Sequence, residues 1–117
     1  MNIVLVRAIL IVDKTPEKRV SGEAQNVILQ CNFSNDLNGL RAVTVEWYRV
    51  GNGNRRALTS NQRVNAEFFG KSGMAFLTFK ILEPDDEATY SCQGTDTVTN
   101  EKASNDIKLS FHLSECC

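Results

Sequence analysis

Several chemistries are missing from this chain of 117 residues. It has one histidine, His112, no Gly-x-Ser-x-Gly turn and no glycine-rich phosphate loop. No nucleophile–base pair or nucleotide cradle can be assembled from that set, which argues against an enzyme, a cofactor or a small-molecule substrate. Lys and Arg number 13 against 14 Asp and Glu, a net charge of −1. That balance lacks the basic excess on which nucleic-acid binding rests. The longest apolar run, Ile3 to Val12, is broken by Arg7 and falls well short of the ~20 residues of a membrane-spanning helix. It has no basic segment before it and no small-residue cleavage site behind it, so it does not read as a signal peptide. Its β-branched content predicts a first strand, with Met1 as an expression start in place of a removed leader. The acids Glu83, Asp85, Asp86 and Glu87 do not follow an EF-hand spacing. One histidine and the terminal pair Cys116–Cys117 make no four-ligand set, so no metal is expected.

What is present is alternation. A hydrophobic share of 42% and this length suit one domain, assigned to residues 1–115, with 116–117 as a tail or the start of a stalk. Short runs of period two recur between turn residues, the pattern of an all-β sandwich. Val27, Leu29, Cys31 and Phe33 share one face of a strand, as do Val43, Val45 and Trp47 of the next, leaving Thr44, Glu46 and Tyr48 outward. Gly51-Asn52-Gly53-Asn54 predicts a tight hairpin into a strand over 55–60. A further strand is expected over 63–69. Ala75, Leu77 and Phe79 then line the inner face of 74–82, and Glu83-Pro84-Asp85-Asp86 breaks it. Ala88, Tyr90 and Cys92 face inward on the next strand. A polar loop is expected over 94–106, followed by a last strand over 107–113.

Two cysteines, Cys31 and Cys92, lie 61 positions apart, with the only tryptophan, Trp47, between them. Asp86-Glu87-Ala88-Thr89-Tyr90-Ser91-Cys92 leads into the second. This constellation resembles an immunoglobulin domain over nearly the whole chain. The resemblance implies a two-sheet Greek-key sandwich in which Cys31 and Cys92 bond across the core, Trp47 packs on the bridge and Tyr90 ties the E–F corner, with Leu77 in the same core. Arg63 stands where V-type domains carry an arginine paired with the aspartate of the Asp-x-Ala-x-Tyr-x-Cys motif, here Asp86. The interval between the cysteines is longer than in compact I-type modules, which fits a V-type domain with a reduced C″ strand, and Pro16 splits its first strand into A and A′. Antigen-receptor variable domains carry a Phe/Trp-Gly-x-Gly bulge after the second cysteine. This chain has Ala103-Ser104-Asn105-Asp106 instead, which points to a germline-encoded receptor or adhesion molecule.

The implied disulfide belongs to an oxidising compartment, and Asn32-Phe33-Ser34 is an N-glycosylation sequon that points the same way. A glycan on Asn32 would leave the opposite, GFCC′ sheet open to a protein partner, homophilic or heterophilic, with a homodimer among the options. Tyr48 is placed near the centre of that contact, with Glu46, Arg55, Arg56, Gln93 and Lys108 around it. The expectation is thus an extracellular recognition module of a cell-surface protein. The rival readings are an I-type spacer of an intracellular muscle-type filament and a secreted defence protein.

Overall fold

The computed structural model describes residues 10–21, 25–35 and 39–112, with His112 described by its backbone alone. The expected strand over 3–9 and the Cys116–Cys117 tail lie outside these residues. Among the described residues nine strands run in the order β1 (Leu10–Val12), β2 (Glu17–Ser21), β3 (Gln25–Asn35), β4 (Val43–Gly51), β5 (Asn54–Ala57), β6 (Val64–Phe69), β7 (Met74–Ile81), β8 (Ala88–Asp96) and β9 (Lys102–His112). They form two sheets, β1-β3-β7-β6 and β2-β9-β8-β4-β5. In immunoglobulin terms these are ABED and A′GFCC′.

Alternation builds the core between them. On β3 the odd positions Val27, Leu29, Cys31 and Phe33 are buried and the even ones exposed. Ala75, Leu77 and Phe79 on β7 oppose them from the neighbouring strand, with Leu29 paired to Leu77 and Cys31 to Ala75. Cys31 and Cys92 are bonded across the two sheets at an S–S distance of 1.99 Å. Trp47 is buried on β4, directly opposite Cys92.

Pro16 has no N–H to give to a ladder. The chain leaves β3 there and crosses to the second sheet, where the Pro16 carbonyl accepts from Lys108 N at 3.0 Å and β2 runs parallel to β9. Gly73 closes the β6–β7 hairpin at φ +78°, and a Cβ at this position would stand 2.1 Å from the Phe33 carbonyl oxygen. Both its backbone and its surroundings demand glycine.

Three boundaries differ from the sequence reading. The strand after the first hairpin ends at Ala57 and not at residue 60, and no C″ strand occurs among the described residues. Instead the Asn61 carboxamide oxygen accepts from the N–H groups of both Arg63 and Val64 at 2.8 Å, a local turn that replaces ladder pairing. The expected polar loop over 94–106 is largely strand. Gly94 pairs with Ala103 and Thr95 with Lys102, so the connection shrinks to 97–101. The buried Asp96 closes it by accepting from Val98 N at 2.9 Å, and Asn100 takes the positive φ of 64° that the tight return requires.

The E–F corner is a single 3₁₀ turn, Pro84–Asp86, started by proline. Tyr90 donates its hydroxyl to the Asp86 carbonyl at 2.6 Å, and its ring meets Phe79 edge-on. Burial is the main cause that raises the Tyr90 pKa above its ordinary value of 10.0, with Asp86 adding to it and Arg49 opposing it. A raised phenol pKa favours the neutral, folded form. The stabilisation is therefore fully present below about pH 10 and is lost as pH rises through the folded pKa. Tyr90→Phe is expected to cost ~1 kcal/mol at pH 7 through the lost hydrogen bond. Urea midpoints should show that gap from the parent closing above pH 10, and a gap constant with pH would reject the assignment.

Candidate protein-recognition face

The outer face of the A′GFCC′ sheet follows from its register. Tyr48 lies opposite Ser91 on β8, Glu46 opposite Gln93, and Ser91 opposite Asp106 on β9. The Tyr48 hydroxyl donates to the Glu46 carboxylate two residues away on the same strand face. That hydrogen bond is the leading cause of a raised Tyr48 pKa, and Arg55 works in the opposite direction. From β5, the guanidinium of Arg55 sits 5.4 Å from the centre of the Tyr48 ring. It also donates to Ser91 Oγ at 2.8 Å and reaches Asp106 at 3.8 Å. Arg55 thus spans four strands and holds the tyrosine ring in place. Its ion pair is half-exposed on both sides and contributes little to stability. Its effect is to fix the orientation of the Tyr48 ring on the sheet's outer face.

Of the expected partner-binding residues, Tyr48, Glu46, Arg55, Gln93 and Lys108 share this face. Lys108 is opposite Thr89 and, across the parallel pair, Glu17. Arg56 does not share it, which corrects the sequence reading. Successive strand residues point to opposite sides, so with Arg55 outward Arg56 turns toward the sandwich's lower end. It pairs there with Arg49 and lines a cavity with Arg63, Asp86 and Tyr90. Ser91 alternates onto the same outer face as Gln93, yet it is fully buried beneath Arg55.

Asp106 escaped the sequence reading because it was assigned to a loop. Continuing the inward positions Ile107 and Leu109 backward by period two, however, puts Asp106 outward and Asn105 inward only if a strand is already assumed. Asn105 is indeed buried, its carboxamide donating to the Thr15 carbonyl at 3.1 Å.

At the lower end, Arg63 Nη1 lies 2.6 Å from Asp86 Oδ2, and the same oxygen accepts from Glu83 N at 2.7 Å. The pair joins the start of β6 to the E–F corner. Its Asp86 carboxylate, together with the exposed Glu83, raises the Arg63 pKa. Among the described residues no three His, Cys, Asp or Glu side chains are grouped as a metal site, and no helix is long and apolar enough to cross a membrane. On the opposite sheet Asn32 is exposed, its side chain hydrogen-bonded to Gln30 at 2.8 Å.

No curated protein matches the chain in sequence. Among solved structures it is similar to the M1 domain from titin, at 18% identity and a TM-score of 0.65 over 88% of this chain and 94% of that one. It is also similar to titin M4, at 19% identity and a TM-score of 0.66 over 92% and 100%. A third is in a complex of titin M10 with an obscurin-like 1 immunoglobulin domain, at 14% identity and a TM-score of 0.66 over 90% and 95%. At such identities these likenesses concern the fold alone. The immunoglobulin V-set domain family, whose members are typically protein-interaction modules and not enzymes, matches residues 14–112. Given that match and the disulfide-bridged two-sheet sandwich, this chain belongs to the immunoglobulin V-set family.

Proposed function

We propose that the chain is the extracellular recognition domain of a germline-encoded cell-surface receptor or adhesion protein, and that it binds a protein partner through the A′GFCC′ face. One observation carries the reading: Tyr48 is held on an exposed sheet between Glu46 and Arg55 with no role in the core. A large ring with a polar tip, fixed in advance, is what interface centres use. The mixed charges of Glu46, Arg55, Asp106 and Lys108 surround it and suit a partner of mixed sign, a second copy included. The Cys31–Cys92 bond supports an oxidising compartment.

The test compares Tyr48→Ala with Lys80→Ala, an exposed residue of the other sheet, in a binding or self-association assay. Tyr48→Ala should weaken association by at least ~2 kcal/mol, about thirtyfold, while Lys80→Ala leaves it unchanged. Equal affinities would remove the interface from this sheet. The filament-spacer reading, in contrast, requires Cys31 and Cys92 to be free thiols in protein taken from its natural compartment. Thiol titration of that material decides between the two.

A further inference from the structure

The outer face of the ABED sheet carries an apolar row that the core does not use. Asn32 on β3 lies opposite Met74 on β7, which in turn lies opposite Phe69 on β6. One step along, Gln30 is opposite Phe76. Phe69 is 47% exposed, and its ring meets that of Phe76 edge-on at 5.7 Å. Ile28, 42% exposed, extends the same face. Contiguous apolar surface of this kind on a sheet face is covered by something or drives association.

We propose that its cover is covalent: an N-linked glycan on Asn32 whose first sugars lie along Met74, Phe76 and Phe69. The position of the sequon selects this occupant over a second copy or another protein. The acceptor asparagine is itself the end of the row and is exposed. Phe69 lies two strand spacings away, about 10 Å, a distance that the first two sugars of a glycan span. Covalent attachment holds those sugars over the row at high effective concentration. The apolar C–H face of a pyranose carries the partial positive charge that an aromatic face attracts, and it removes ring area from water.

In the transfer, Asn32 Nδ2 displaces polyprenyl diphosphate from C1 of a polyprenyl-diphosphate-linked oligosaccharide. The C1–N bond forms and the C1–O bond breaks with its electron pair remaining on the phosphate. One amide proton is released. The inference rests on the extracellular reading above, because such donors meet proteins only in the secretory pathway.

The experiment expresses the chain in a secreting eukaryotic host and measures Asn32 occupancy by intact mass. Thermal midpoint and apolar-dye binding are then compared for the full glycan, for protein trimmed to a single N-acetylglucosamine, and for Ser34→Ala, which removes the sequon and keeps Asn32. Occupancy is expected, with Ser34→Ala lowering the midpoint by about 4 °C, raising dye binding, and the single sugar retaining most of the difference. In a Phe76→Ser background, loss of the glycan should no longer change the midpoint. If Ser34→Ala fails to fold, enzymatic removal of the glycan from folded protein replaces it.

An unoccupied Asn32, equal midpoints and dye binding with and without sugar, or self-association through Phe69 and Phe76 with the glycan in place each overturns the inference. The Tyr48 assay reads the other sheet, so either proposal can fail while the other stands.

Discussion

A chain carrying both Cys31→Ala and Cys92→Ala is expected to lose about 4 kcal/mol of folding stability, seen as a lower urea midpoint at neutral pH. The bond closes a loop spanning a sequence separation of 61. Releasing a loop of this size restores roughly 14 cal/mol/K of entropy to the unfolded chain, which gives that figure at 25 °C. The two sulfurs are also fully buried against Trp47, so the alanines leave a void that the neighbouring ring cannot fill. A net stability of ~5–15 kcal/mol is typical of a domain, so this single bond separates a folded module from one partly unfolded at body temperature. Strong reductant on the unmutated chain should reproduce most of the loss. A midpoint shift equivalent to less than ~1 kcal/mol would show that the packed core, and not the cross-link, sets the stability.

Arg63→Ala should cost about 3 kcal/mol, more than surface charge removal normally does. The reason is an asymmetry within the pair: the Asp86 side chain is 5% exposed, whereas that of Arg63 is 37% exposed. Removing the arginine leaves a buried carboxylate that still accepts from Glu83 N–H but has little water to replace the lost charge. Asp86 also supplies the carbonyl to which Tyr90 donates, so distortion of the corner reaches the core through one residue. Arg63→Lys keeps a charge but not the planar fork, and should recover about half of the loss. Equilibrium denaturation of the three proteins tests the ordering, and an Arg63→Ala cost below ~1 kcal/mol would place the pair with ordinary surface bridges.

The sandwich was legible in the sequence because its information is periodic and local. Val27, Leu29, Cys31 and Phe33 declare an inward face by spacing alone, and Asp86, Tyr90 and Cys92 fix a corner within seven residues. The boundary of β9 was not legible, because Ala103 to Asp106 are polar or small yet pair fully with β8. Ladder hydrogen bonds ask nothing of side-chain polarity on a face that meets water. The candidate site was legible in part for the same reason. Tyr48 and Glu46 sit on a strand whose phase Trp47 sets. Arg55 and Arg56 were grouped together because adjacent like residues suggest a patch, while alternation divides them. The stacking of Arg55 on Tyr48 and its reach to Asp106 depend on strands distant in sequence, which no local pattern reveals.

The two-residue turn at Asn52–Gly53, with Gly53 at φ +75°, sets the phase of β5 against β4. An edit to this hairpin therefore acts by parity. A change that slides β5 by two positions keeps each arginine's side and only displaces it along the sheet. A slide by one exchanges them, carrying Arg55 to the lower end beside Arg63 and bringing Arg56 out over Tyr48. Charge and composition would be identical before and after. In repertoire terms, the length of one hairpin is a binary setting that decides which of two neighbouring arginines meets a partner and which meets the fold.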